Sequence, residues 1–331
     1  MSLFSSDYCY DASPGRCIMH VFDDIIFSAP NQGGGVFSCR NDAIICLDDR
    51  PTCGLSLAPG KLARAVQAED AVVLTNAEGG QEYRGPWADI HDVLLTEQGF
   101  YLVSTETSEV LQWDVAKKTV AGRWQFSEHR DSWHINCLGI VHEELCFTAF
   151  GDFSEARGYK NNSATRGFLR SIHDTKNPWL EGLSQPHSIL TAQDGYLYLC
   201  DSETGNIRQY TMEFTLQRTL NIGGYSRGLA WRDGILFVGL SASRNAVESE
   251  HQQAKIVAFD TKTWTEIDRI VVPCQEIYDL LIFDDREEFL FWVERILIYE
   301  RTRALDRIRS LEEKPAGKTN ACARLHVFLG Y

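Results

Sequence analysis

Short apolar runs, each opened by a polar residue and joined through a tight turn to a second run, recur along most of this chain. The clearest copies lie between Gln185 and Leu240. Gln185-Pro186-His187-Ser188-Ile189-Leu190 leads through Asp194-Gly195 to Tyr196-Leu197-Tyr198-Leu199. Tyr225-Ser226-Arg227-Gly228-Leu229-Ala230 leads through Asp233-Gly234 to Ile235-Leu236-Phe237-Val238. Apolar runs of this length around an Asp-Gly pair predict β-hairpins. Further copies open at Asp92, Asn136 and Asp279, and a weaker one at Cys53, which aligns Cys53, Asp92, Asn136, His187, Arg227 and Asp279 as equivalent strand openings. A step of roughly 40 to 50 residues with about four strands per unit is the range of propeller blades. Six copies predict an all-β, six-bladed β-propeller forming a single domain over residues 1–331.

The ends of the chain fit ring closure. Strand-like runs at Cys17–Phe22, Asp24–Ser28, Gly35–Ser38 and Ala43–Leu47 precede the first copy and have no inner strand of their own. They are expected to complete the last blade, removing exposed sheet edges. The same blade is expected to take strands from Phe289–Val293 and Ile296–Tyr299. Apolar spacing at Leu305, Ile308 and Leu311 predicts one short helix within a helical or irregular segment over 302–320. Leu325–Leu329 reads as one more strand, and the polar residues 1–16 as loosely held. Two intervals are long, 151–167 and 241–253, and both insertions are expected on the face where the inner strands begin. Long loops on one face of a rigid repeat are where binding concentrates.

Charge and composition narrow the functional classes. Lys and Arg number 32 against 46 Asp and Glu, a net of -14. That balance argues against nucleic acid or an anionic membrane as partner. No apolar run approaches the roughly 20 residues needed to span a bilayer, and the N-terminal residues lack a secretory pattern. The ten cysteines show no CxxC pair and sit partly inside strand patterns, which predicts reduced thiols and a cytoplasmic protein. Gly33-Gly34-Gly35 lacks a following helix pattern, and Ser56 and Ser188 lack a nucleophile-elbow context.

Candidate chemistry centres on the strand openings, which line the channel of a propeller. Asp92, Asn136, His187 and Asp279 are suitable oxygen and nitrogen ligands for a divalent metal such as Ca, Mg, Mn or Zn. His134 or His187 could act as a general base, and Arg227 could hold a carboxylate, phosphate or developing oxyanion. Trp133, Tyr159, Tyr225 and Tyr278 could wall a ligand. The structural alternative is that these polar groups bond one another and water, with Arg227 paired to Asp279 or Asp92.

Several of these residues fall in motifs. His134-x-Asn136, Pro186-His187-Ser188, Asp201-Ser202-x-x-Gly205, Arg227-Gly228-Leu229-Ala230, Val238-Gly239-Leu240-Ser241 with Arg244, and Glu276-x-Tyr278-Asp279 occur in this order. In that combination, over about residues 85–285, the chain resembles an uncharacterised, mainly bacterial propeller family. Glu203 stands where that family often has Gly. The resemblance implies a propeller and adds Arg244 to the substrate-binding candidates. More distantly, the chain is similar to gluconolactonase-type and strictosidine-synthase-like six-bladed propellers. In the gluconolactonase type, inner-strand Asn and Asp residues bind a catalytic cation; Asn136 and Asp279 occupy comparable positions. Cys53 stands where another acidic ligand would be, with Asp92 the nearest substitute.

The expectation is a propeller that binds a small anionic or hydroxylated molecule at its mouth, with metal-assisted hydrolase, lyase or isomerase chemistry by His134, His187 and Arg227. A non-catalytic scaffold binding a protein partner on the same face is the alternative.

Overall fold

The computed structural model describes residues 20–174, 176–242 and 253–312. Twenty-four strands, β1 to β24, form six four-stranded antiparallel sheets, and these are the six blades of a propeller. The first five blades are each continuous in sequence. Their inner strands are β4 (Thr52–Ala58), β8 (Ile90–Leu95), β12 (Ile135–Val141), β16 (Pro186–Thr191) and β20 (Tyr225–Arg232). The sixth blade combines both ends of the described chain. Its inner strand β24 (Asp279–Ile282) pairs with β1 (Ile25–Ala29), followed outward by β2 (Gly35–Arg40) and β3 (Ala43–Asp48). Ser28 lies opposite Asp279 and Phe27 opposite Leu280, so the ring closes by hydrogen bonds between segments about 250 residues apart.

Side chains that alternate toward neighbouring blades fuse the ring into one body. Between the second and third blades, for example, Val103, Val110, Leu138, Phe147 and Phe168 form a buried cluster, with Phe126 stacked on Phe147 at 4.4 Å. Among the described residues the cysteines are free; all but Cys46 are buried.

The region after β24 differs from the sequence expectation. Residues 286–312 form one α-helix, α1 (Arg286–Glu312), in place of two strands and a short helix. Phe289, Trp292 and Ile296 fall on one face at helical spacing and are buried to 2%, 1% and 0% exposure. They join Ile26, Val36, Leu47, Leu55 and Leu62 in a cluster shared by the sixth and first blades. β1, β2 and β3 already give the sixth blade its four strands, and what remains to be covered is the apolar surface between the sixth and first blades, on which Phe289, Trp292 and Ile296 pack. A short apolar run suits either a strand or a buried helix, and here the available surface selects the helix. Leu305 and Leu311, expected to mark the apolar side, are exposed. The segments 1–16 and 313–320, the strand at Leu325–Leu329 and Arg244 lie outside the described residues.

Candidate functional site

The inner strands share an irregularity that sets the site. In all five continuous blades the pairing shifts near the strand opening, between Thr52 and Leu55, Ile90 and Val93, Ile135 and Cys137, His187 and Ile189, and Arg227 and Leu229. This makes Leu55, Val93, Leu138, Ile189, Leu229 and Leu280 equivalent. Two residues earlier stands the mouth ring: Cys53, His91, Asn136, His187, Arg227 and Tyr278. One residue earlier stands a second ring: Gly54, Asp92, Cys137, Ser188, Gly228 and Asp279. The sequence alignment is therefore one residue out at Asp92 and Asp279, whose places in the mouth ring belong to His91 and Tyr278.

The second ring fastens blades together. Leu138 N–H donates to Asp92 Oδ2 at 2.7 Å, and Leu55 N–H donates to Asp279 Oδ2 at 2.9 Å. Ser188 N–H reaches Cys137 Sγ at 3.2 Å, and Gly228 N–H reaches Ser188 Oγ at 2.8 Å. Each is a bond from one blade's polar side chain to the next blade's backbone. A side chain at Gly54 would collide with the Asp92 carboxylate, which is the reason for glycine there. Burial pushes both carboxyls up, Asp279 to about 7 and Asp92 well above the usual range with Asp279 adding repulsion.

The mouth ring is packed around Tyr278. Its hydroxyl crosses from the sixth blade to donate to Asn136 O in the third at 2.7 Å. His91 and His187 meet the Tyr278 ring edge-on, with centroids at 6.0 and 6.2 Å. The Arg227 guanidinium lies 4.8 Å from the Tyr225 ring centre and 5.6 Å from that of Tyr278. It donates from Nη1 to Glu276 Oε2 at 2.8 Å. Burial opposes its charge, but Tyr225 and Glu276 beside it more than compensate.

Three blades orient their mouth residue alike. Asp89, His134 and Gln185, two positions before His91, Asn136 and His187, are non-glycine residues at positive φ of 53°, 48° and 51°. Their carbonyls turn back to the following side chain: Asp89 O is 3.0 Å from His91 Nδ1, Gln185 O is 3.0 Å from His187 Nδ1, and Asn136 Nδ2 donates to His134 O at 3.3 Å. Left-handed backbone at non-glycine residues is costly, and in these three blades it accompanies a carbonyl turned back onto the mouth side chain.

His134 stands above this ring. Its Nδ1 is 2.8 Å from Asp131 Oδ1, while Asp131 Oδ2 accepts from Tyr159 O–H at 2.8 Å and Arg157 Nε at 3.2 Å. Against the opposing effect of burial, these donors hold Asp131 below the usual carboxylate range. Tyr159, from the 151–167 insertion, packs 4.5 Å from the His134 ring, and Phe150 lies between His134 and His187 at 4.3 and 5.3 Å. Burial pulls His91 down to about 4, opposed by Asp89, and keeps His187 well below its ordinary value, with Arg227 adding to the effect. Both imidazoles are neutral at pH 7.

The structure thus gathers His134, Tyr159, His187, Tyr225, Arg227 and Tyr278. Trp133 is elsewhere: it stacks on Phe126 and meets Phe168 edge-on between blades, with Arg170 above it. The four expected metal ligands do not form a donor set. Asn136 Oδ1 accepts from Thr148, His187 Nδ1 faces Gln185 O and Ser202, and Asp92 and Asp279 accept backbone N–H groups one register further along. Among the described residues no three His, Cys, Asp or Glu side chains gather in a way that could hold a metal ion. His91, Asp131, Phe150 and the role of Glu276 escape the sequence reading. Asp89-x-His91 repeats the spacing of Gln185-x-His187, and that parallel was the available signal.

The fold is a six-bladed propeller, with histidine and tyrosine side chains clustered where its inner strands begin. The chain belongs to the family described as "Domain of unknown function (DUF4915)", which matches residues 74–300. No curated protein is similar enough to match. Among solved structures, a luciferin-regenerating enzyme is 12% identical with a TM-score of 0.51, covering 69% of this chain and 78% of its own. The calcium-binding protein regucalcin from Agrobacterium tumefaciens is 12% identical at 0.53, covering 74% and 88%. A chain from a nidogen/laminin complex is 10% identical at 0.57, covering 77% and 97%. An enzyme, a calcium binder and a component of a protein complex share the architecture, so the likeness establishes the fold alone. Among the described residues no helix is long and apolar enough to cross a membrane.

Proposed function

We propose that the mouth binds a small anionic or hydroxylated molecule and carries out acid–base chemistry on it. The observation that carries this reading is His187 Nε2, a nitrogen on a side chain only 1% exposed that has no hydrogen-bond partner in the protein. An unpaired buried polar atom is destabilising by about 1–3 kcal/mol, and a ligand group would satisfy it. Arg227 Nε, on the next blade, is a second such atom.

In this reading His134 is the general base. Asp131 accepts a hydrogen bond from its Nδ1–H and leaves Nε2 to take a proton from the ligand, a pairing suited to hydrolase, lyase or isomerase steps. Regucalcin's calcium does not carry over, because the donor set described above does not fit a metal. The test is a thermal-shift screen of small molecules on wild type and on the double variant His187→Ala with Arg227→Ala. Hits that stabilise wild type and fail on the variant are expected. A variant that keeps every hit, or that loses capture of a protein partner while no small molecule stabilises wild type, overturns the reading in favour of an interaction scaffold.

A further inference from the structure

We propose that the ligand of this mouth is neutral and polyhydroxylated, because the site offers acceptors where such a molecule carries donors. The proposal rests on the mouth being a small-molecule site and narrows what enters it. The histidine tautomers are fixed by their partners. His187 Nδ1 faces Gln185 O at 3.0 Å and Ser202 Oγ at 2.9 Å. The Ser202 hydroxyl donates its proton to Ser226 O at 2.7 Å, so its oxygen can only accept from the imidazole. With acceptors on both sides, Nδ1 carries the hydrogen and Nε2 presents a lone pair.

The second blade repeats the device. His91 Nδ1 faces Asp89 O at 3.0 Å and Thr105 Oγ1 at 2.7 Å, and the Thr105 hydroxyl donates to Ile135 O at 2.7 Å. In both blades the hydroxyl is anchored on the next blade's inner strand, so the tautomer is built into the ring. His134 Nδ1 faces the Asp131 carboxylate, again an acceptor. His91 and His187 therefore hold their hydrogen on Nδ1 and their lone pair on Nε2, and His134 likewise points its Nδ1–H at an acceptor.

This arrangement discriminates by charge. An anion would set its oxygen lone pairs against those nitrogens. Arg227 does not redress this, since Glu276 already answers its charge and is itself held by Asn31 Nδ2 at 2.9 Å. A cation would meet the Arg227 guanidinium where it covers Tyr225 and Tyr278. A neutral polyol satisfies both kinds of spare atom: its O–H groups donate to Nε2, and its oxygens accept from Arg227 Nε. Its C–H faces would rest on the aromatic rings of Phe150, Tyr159, Tyr225 and Tyr278.

The experiment titrates the full chain calorimetrically with myo-inositol and glucose, with glutarate, and with tetramethylammonium. Saturable binding of a neutral polyol and none of the two ions is expected. His187→Asn keeps an amide nitrogen where Nδ1 lies and deletes Nε2; it should weaken polyol binding at least about tenfold, the effect of losing one good hydrogen bond. Binding of glutarate alone sinks the polyol assignment but leaves a small-molecule mouth standing. Binding of no probe also sinks it, and the screen above then decides the wider reading. Nitrogen NMR of histidine-labelled wild type is independent of any variant's folding. Nδ1–H tautomers at His91 and His187 are expected, and an Nε2–H signal at His187 overturns the proposal.

Discussion

Two clusters of buried polar side chains in this propeller are finished in opposite ways. Where α1 meets the sixth and first blades, Asp48 accepts from Arg50 Nε at 3.2 Å and Arg64 Nη1 at 2.6 Å. Glu300 of α1 accepts from Arg50 Nη2 at 2.7 Å and Arg64 Nη2 at 2.8 Å, and Glu82 from Arg50 Nη1 at 3.1 Å. Burial disfavours the Asp48 charge, yet Arg64 and Arg50 hold its carboxyl below the usual range. Every carboxylate there faces a guanidinium. At the mouth, by contrast, His187 Nε2 is buried with no hydrogen-bond partner in the protein. Arg64 Nε also lacks a partner, but both its other nitrogens are engaged, so that group is fastened. Buried polarity alone does not mark a site; what distinguishes the mouth is that two such unpaired atoms, His187 Nε2 and Arg227 Nε, stand on neighbouring blades beside the same aromatic rings.

The largest test of this contrast is Asp48→Ala. It strands two buried guanidinium groups and should cost about 3–5 kcal/mol in denaturant unfolding, while ligand binding by the folded fraction is unchanged. Its contribution in wild type is present above the usual carboxylate pKa of about 4 and fades as pH falls below it. A loss under 1 kcal/mol would mean the network is not the fastening described.

Tyr278→Phe should cost about 1–2 kcal/mol by leaving Asn136 O without its donor, and it should also weaken ligand binding, since the ring packs against His91 and His187. Full binding in this variant would separate Tyr278 from the site.

The smallest effect belongs to the second ring. Asp92 and Asp279 have raised folded pKa values, so the folded state holds more protons between about pH 4, the unfolded value, and about 7 for Asp279. Their contribution is fullest at low pH and is lost as pH rises through that window. Asp92→Asn removes one of these groups, so the variant should gain stability relative to wild type as pH rises from 5 to 8. Parallel stability curves for the two proteins would contradict a raised Asp92.

Much of the architecture was legible because a repeat is a local pattern. Asp194-Gly195 and Asp233-Gly234 announce hairpins, and apolar runs after His187 and Arg227 announce inner strands, whatever lies elsewhere in the chain. The candidate site was legible at His134, His187, Arg227 and Tyr278. It was misread at Asp92 and Asp279 because each puts an acidic side chain directly before the apolar run, one residue past the true opening. The acidic residue looked like the opening, while the true counterpart was the histidine or tyrosine before it. Trp133 was misplaced for a related reason: a left-handed turn at His134 decides which way the preceding side chain points.

The sequence by itself determined the number of blades, the inner strands and the polar character of the axis, since all three follow from residues close together in the chain. Only the tertiary structure decided that 286–312 is a helix, that Tyr278 reaches across to Asn136, and that Ser202 and Thr105 lock the histidine tautomers. Each of those depends on which distant segment supplies an apolar surface or a carbonyl, and a one-dimensional pattern does not carry that information.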